Sequence, residues 1–167
     1  RPPRSTLFPY TTLFRSVRLA AYIAIARGGD PTAADTLERA IETERPWMRA
    51  RCLAAVSFAR TPQAVAVLES ATNDVDREMR KVAFTRLAVL CPERAEEMVA
   101  ALVELKAVHE LGETMSPAAV PPLLEMLKAS EWWVVKAAAE SLGTLGDRRA
   151  VGRSEERRVG KECRSRW

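Results

Sequence analysis

Apolar residues recur at spacings of three and four along most of this chain, which predicts amphipathic helices. The two clearest segments carry apolar faces at Met48, Cys52, Ala55, Val56 and Ala59, and at Met79, Val82, Ala83, Leu87 and Leu90. Shorter stripes follow prolines, at Leu37, Ala40 and Ile41, at Ala64, Val65, Val67, Leu68 and Ala71, and at Val120, Leu123, Leu124 and Leu127. Proline suits the first turn of a helix, where its missing N–H has no helical partner. No stretch alternates in the manner of a strand, so the pattern predicts an all-α fold.

The helices form a repeat of 31 residues, marked by an apolar residue followed by a basic one. These pairs are Val17–Arg18, Met48–Arg49 and Met79–Arg80, with a further pair at Val135–Lys136. Arg80 and Lys136 are 56 residues apart, six fewer than two full periods, whereas Leu111–Gly112 and Leu142–Gly143 are again 31 apart. The loss is therefore expected before about residue 105. Glu93 to Leu111 lacks proline and glycine, so we predict helix throughout, with the turn lost or very short.

The stretch from Ala119 to Asp147 contains A-V-P-x-L, then an apolar–basic–x–A–A motif, and closes on L-G-x-L-G-D. It resembles the HEAT-like repeat, in particular the short bacterial form named after phycobilisome lyases. The resemblance covers residues 17–152 and implies a right-handed HEAT-like α-solenoid of about four stacked helical hairpins. Gly143 and Gly146 are expected to end the last helix. Asp30, Asp74 and Asp147 are placed to cap following helices, and the resemblance implies that they also pair with Arg49, Arg80 and Lys136 across repeats.

The two ends of the chain are related as the two strands of one DNA segment. Codons for residues 153–167, read backwards on the complementary strand, can encode residues 2–16 without a gap. Both segments also resemble translations of a short-read sequencing adapter. We therefore predict that 1–16 and 153–167 are adapter-derived tails that pack little against the core, and that 17–152 is a HEAT-like fragment truncated at both ends.

The tails change the charge of the chain. All 167 residues carry 26 basic and 22 acidic side chains, a net charge of +4, whereas residues 17–152 carry 17 and 19, a net charge of −2. The basic character therefore belongs to the tails. A negative core disfavours a groove that tracks the phosphates of a nucleic acid.

The candidate chemical groups are few. His109 is the only histidine, and His109–Glu110 resembles one of the His–Glu pairs of HEAT-repeat di-iron hydroxylases, which need several such pairs. Cys52 and Cys91 are most simply core residues in a reducing compartment, although a reactive thiol is the alternative. No phosphate loop, catalytic set or metal-ligand spacing is present, so we expect neither an enzyme nor a cofactor.

Trp47, Trp132 and Trp133 fall at the turns that open second helices, where two interpretations stay open. They could cover the junction between repeats. Alternatively, they could be hot spots for a partner, since tryptophan is enriched at such sites.

The predicted function is a cytoplasmic protein-interaction scaffold, one module of a longer HEAT-repeat protein. Its partner is another protein, with no membrane or nucleic acid involved, and self-association through the uncapped ends is a competing expectation. Successive second helices lie side by side in such arrays. Their outward strip is predicted to draw on Arg51, Lys81, Thr85 and Glu140. Two alternatives are a chromophore lyase that handles a phycobilin and a HEAT-like nucleic-acid-binding protein.

Overall fold

The computed structural model describes residues 17, 19–28 and 32–147. These residues form α1 (19–27), α2 (Ala33–Thr43), α3 (Pro46–Val56), α4 (Pro62–Ala71), α5 (Arg77–Leu90), α6 (Ala95–Glu104), α7 (Val108–Glu113), α8 (Val120–Met126) and α9 (Trp132–Leu145). No strand occurs in the described part of the chain. The all-α class predicted from the periodicity and the solenoid implied by the resemblance are confirmed, with four helical pairs after α1. The predicted tails, along with Arg18 and Asp30, lie outside the described residues, so the boundaries at 17 and 152 stay predictions.

The chain divides into two compact units, Arg1–Ala83 and Phe84–Trp167. In the first unit α2 packs against α3 and α4, and its interior holds Leu37, Leu53, Val56, Leu68 and Met79. In the second unit α7 and α8 pack against α9 around Leu102, Leu111, Leu123 and Leu142. These positions have the helical spacing that the sequence shows.

The helix boundaries follow from particular residues. The Thr61 hydroxyl accepts a hydrogen bond from the Ala64 N–H at 3.2 Å, and Pro62 occupies the first turn of α4. Gly146 ends α9 in the left-handed conformation, with φ of 71°. Gly143 lies inside α9 instead, so the expectation that both glycines end this helix is wrong for Gly143.

The shortened repeat keeps its turn and loses part of a helix. Residues 105–107 separate α6 from α7, so the prediction of continuous helix from Glu93 to Leu111 is wrong, while the very short turn is confirmed. The second helix is the part that shrinks: α7 has only 6 residues, against 14 in α5 and 14 in α9. Val108–His109 opens α7, as the apolar–basic pairs do near the starts of α3, α5 and α9. The register set by Gly112 and Gly143 nevertheless places the counterpart of Lys136 at residue 105, so His109 lies outside the 31-residue series.

Candidate protein-interaction surface

A polar ladder joins successive repeats in the first unit. Arg49 of α3 donates from Nε to the Ile41 carbonyl at 3.0 Å and from Nη2 to the Asp74 carboxylate at 2.9 Å. Arg80 of α5 donates from Nη1 to the carbonyls of Asp74 and Val75, at 2.7 and 2.9 Å. The ladder thus connects α3 to the end of α2, and both α3 and α5 to the turn at Asp74.

Asp74 has a different local role from the one expected. Its other carboxylate oxygen accepts the Asp76 N–H at 2.8 Å, and Asp76 in turn accepts the Glu78 N–H at 2.9 Å in the first turn of α5. Asp76 is therefore the residue that caps α5, while Asp74 braces the turn and holds Arg49. The sequence signal was the Asp-x-Asp spacing, which allows one carboxylate to support the next.

The second unit joins α7 to α9 by close packing. A Cβ placed on Gly112 would lie 2.7 Å from the Ser141 Cβ and 2.8 Å from its Cα. The Ser141 hydroxyl donates to the Val108 carbonyl at 2.9 Å, and this bond is buried. Lys136, the counterpart of Arg49 and Arg80, instead lies 3.6 Å from Glu140 on its own helix. The expected pairing of Lys136 with an aspartate across repeats is therefore wrong. Nothing in the sequence singled out Ser141.

The four residues predicted to form the outward strip have different environments. Arg51 is exposed on α3, and Glu140 is exposed on α9. Lys81 is mostly covered, with 14 % of its side chain exposed and its Nζ 2.9 Å from Glu78 Oε1. Thr85 is fully buried in α5, at 0 % exposure, because α5 is buried over a wider arc than the apolar periodicity indicates. Thr85 therefore cannot contact a partner through its side chain.

The other three residues of the predicted strip lie in different units. Arg51 and Lys81 belong to the first unit, and Glu140 belongs to the second. Each unit therefore has its own candidate binding surface.

The tryptophans are the largest exposed apolar side chains of the described residues. Trp132 and Trp133 occupy the first turn of α9 and are 74 % and 56 % exposed, and Trp47 in the first turn of α3 is 46 % exposed. A side chain that seals a junction between repeats would have far less of its area in water. The exposure of Trp132 and Trp133 thus weakens the first of the two sequence interpretations.

Charged groups flank this exposed pair. Glu131 immediately precedes α9, and its pKa lies below the ordinary value of 4.5. The causes are a hydrogen bond from its own backbone N–H, a hydrogen bond from the Ser130 hydroxyl and the nearby charge of Lys106. We call Trp132, Trp133, Glu131 and Lys106 together the tryptophan edge of the second unit.

Comparison with known proteins decides the family. A sequence model described as HEAT repeats matches residues 11–88 and 96–152. The chain belongs to the HEAT-repeat family. The unmatched residues between the two segments, 89–95, cover the end of α5 and the approach to α6. No curated protein matches the chain.

The family match leaves two finer predictions open. It does not separate the short bacterial form from other HEAT repeats, so that assignment stays a prediction. It begins at residue 11, inside the predicted first tail, and ends at residue 152, and the origin of the tails stays a prediction as well.

The histidine and the two cysteines are the other candidate chemical groups of this HEAT-repeat chain. His109 is exposed and lies 3.6 Å from Glu113, whose carboxylate is 3.4 Å from Arg86. Cys52 is buried and Cys91 is partly buried. In residues 17, 19–28 and 32–147, no three His, Cys, Asp or Glu side chains are placed to hold a metal ion. Within the same residues no helix is both long and apolar enough to cross a bilayer.

Proposed function

We propose that this HEAT-repeat chain is a protein-interaction module of a longer scaffold, and that the tryptophan edge is its main contact surface. HEAT repeats generally mediate interactions between proteins, and the one observation that carries the choice of surface is the exposure of Trp132 and Trp133. Two adjacent indoles in water are unfavourable for the isolated protein, since their burial against a partner removes a large apolar area. The proposal includes no catalytic role.

The first unit offers a second, weaker surface. Arg51 is exposed on α3, and Trp47 is nearly half exposed four residues before it, one helical turn along the same helix. Lys81 contributes little, because most of its side chain is covered. We therefore keep Arg51 from the predicted strip and add Trp47, while Glu140 stays a candidate on the second unit.

The test is a site-directed crosslink followed by a titration. A photoreactive phenylalanine analogue at position 133 is expected to capture a partner in cells that express the protein, and the same analogue at the exposed position 97 of α6 is not. The captured protein is then purified and titrated with the full chain. The variant carrying Trp132→Ala and Trp133→Ala should bind at least about tenfold more weakly, whereas the exposed Gly143→Ala should bind as the wild type does.

Two results would contradict the proposal. One is a saturable partner whose affinity is unchanged when both tryptophans are removed. The other is capture of further copies of this chain alone, since Val17 is exposed and α1 exposes Ile25 together with Ala20, Ala21 and Ala24. Sedimentation of the purified chain over a range of concentrations measures that self-association independently.

A further inference from the structure

The described parts of the two units differ in charge. The described residues of the second unit, 84–147, carry ten acidic and five basic side chains, a net charge of −5. The described residues of the first unit, 17, 19–28 and 32–83, carry eight acidic and nine basic side chains, a net charge of +1. Residues 84–147 therefore carry an excess of carboxylates, which favours nearby cations, whereas the described residues of the first unit carry no such excess.

The cations of the second unit are already engaged within it. Arg86 lies against Glu113, Arg94 against Glu97, Lys128 against Glu125, and Lys136 against Glu140. The fifth, Lys106, is close enough to Glu131 to act on its charge. Every cation between residues 84 and 147 is thus paired with a carboxylate of the same range or acts on one, and the net charge of this range stays at −5.

The tryptophan edge adds aromatic surface to this carboxylate-rich part of the chain. The charge of Lys106, in the turn after α6, acts on Glu131 at the start of α9, and the neighbouring Leu105 and Val134 pack against the same hydrophobic cluster. Glu104, two residues before Lys106, is exposed, as is Glu131. The face of an indole attracts cations more strongly than that of any other aromatic side chain. An aromatic–guanidinium contact of this kind exists inside the chain, where the Arg27 guanidinium lies 4.5 Å from the centre of the Phe58 ring.

We propose that Trp132 and Trp133 bind an arginine-bearing, cationic segment of a partner protein. The inference rests on the proposed function and specifies its partner. A guanidinium is planar, so it can stack on an indole while its edge pairs with the carboxylate of Glu131 or Glu104. Lys106 opposes such a partner, because its ammonium group already lies near Glu131 and repels an incoming cation.

The test uses peptides of known charge against the full chain. An arginine–glycine repeat peptide is titrated by calorimetry, beside lysine–glycine and glutamate–glycine repeats of equal length. The expected order of affinity is arginine, then lysine, with no binding of the glutamate peptide, and the affinity should fall as salt is raised. Every variant keeps the basic residues of 148–167, so any competition from them is the same throughout.

Matched variants separate the edge from general charge. Trp132→Ala with Trp133→Ala leaves the charge unchanged and should weaken the arginine peptide at least about tenfold. Glu131→Gln should weaken it about threefold, and Glu96→Gln, which removes the same charge at the opposite end of α6, by less than about twofold. Lys106→Gln should tighten binding about twofold to threefold.

The outcomes also distinguish this inference from the proposed function. Tighter binding of the glutamate peptide, weaker binding by Lys106→Gln, or equal effects of Glu131→Gln and Glu96→Gln would overturn the cationic partner. If binding of the crosslinked partner depends on Trp132 and Trp133 while binding of the arginine peptide does not, the edge is an interaction surface for a partner that is not cationic. Loss of tryptophan dependence in both experiments refutes the proposed function itself.

Discussion

The two units of this HEAT-repeat chain hold their successive second helices by different means. In the first unit, Arg49 and Arg80 converge on the turn at Asp74 through hydrogen bonds of 2.7 to 2.9 Å. In the second unit, Gly112 allows α7 to touch the backbone of α9 at Ser141. One sequence repeat therefore supports both a ladder of charged hydrogen bonds and a close helix crossing.

The length of α7 explains the difference. α7 has only 6 residues, and its second residue, His109, lies near Glu113 of the same helix. With so short a helix, only a small area is available for packing against α9. Close approach at Gly112 raises the number of atoms in contact per residue, which compensates for the missing turn of helix.

The largest effect is expected where the crossing is tightest. Gly112→Ala places a methyl group 2.7 Å from Ser141, against backbone as well as side chain, so α7 and α9 must separate. We expect a loss of about 2–3 kcal/mol, or about 5–10 °C in melting temperature. The measurement is a thermal melt followed by circular dichroism.

Gly143→Ala is the matched control for this crossing. It makes the same substitution in α9 where nothing lies within 4 Å of the added carbon. Because alanine favours helix, it should stabilise by up to about 1 kcal/mol. Equal behaviour of the two variants would show that no close crossing exists.

The stability that the ladder gives the first unit should depend on Arg49 and Asp74 acting together. Asp74→Ala removes the acceptor of both Arg49 and the Asp76 N–H, so we expect about 2 kcal/mol of destabilisation, and about 1–2 kcal/mol for Arg49→Ala. The double variant should reveal about 1 kcal/mol of coupling in denaturant melts. Arg51→Ala, exposed on the same helix, should change stability by less than about 0.5 kcal/mol. If the losses of stability in Arg49→Ala and Asp74→Ala simply add in the double variant, the two side chains do not stabilise each other and the ladder does not hold the repeats together.

A smaller effect is expected at a helix end. Lys106 has φ of 50° and ends α6 with the bonds Ala107 N–H to Leu102 carbonyl and Lys106 N–H to Val103 carbonyl, the same pattern by which Gly146 ends α9. Lys106→Gly should therefore stabilise by about 0.5–1 kcal/mol, and Gly146→Lys should destabilise by a similar amount. A loss of stability in Lys106→Gly would mean that the side chain itself supports the fold.

The smallest effect concerns pH. Because the pKa of Glu131 is lowered in the folded chain, its contribution to stability is complete above about pH 4.5 and is lost as the pH falls through the folded-state pKa. In an NMR titration of the side-chain carboxyl carbon, Ser130→Ala should raise the pKa of Glu131 more than Lys106→Gln does. The opposite order would show that Lys106 lies closer to the carboxylate than the Ser130 hydroxyl.

The sequence predicts what depends on periodicity along one helix. Helix class and the buried leucines follow from spacing and residue type, while the pairing of Arg49 with Asp74 was implied by the resemblance to HEAT-like repeats. Gly112 and Gly143 show the limit, since they are 31 residues apart and look equivalent, yet one is buried against Ser141 and the other faces open space. Which of them touches a neighbour depends on where two helices cross, and a single chain carries no signal for that.

The outward strip fails for a related reason. Thr85 occupies a position that amphipathic spacing assigns to the surface, but a helix covered on several sides has no polar face at that point. The exposed tryptophans show the opposite deviation, because a large apolar side chain is expected to be buried inside a fold and these are in water. Apolar side chains that are exposed to water in the isolated chain are the ones that a binding surface requires.

The most direct test of the account is a thermal melt of the full chain carrying Trp132→Ala and Trp133→Ala, because it separates an interaction surface from a junction seal. If the pair serves a partner, the exposed indoles contribute little to folding, and the melting temperature should stay within about 3 °C of the wild type. Leu142→Ala, at a buried position of the same helix, should cost about 2–5 kcal/mol and shows that the melt reports on α9. A fall of more than about 10 °C in the tryptophan variant would mean that the pair is part of the core, and would contradict the central claim.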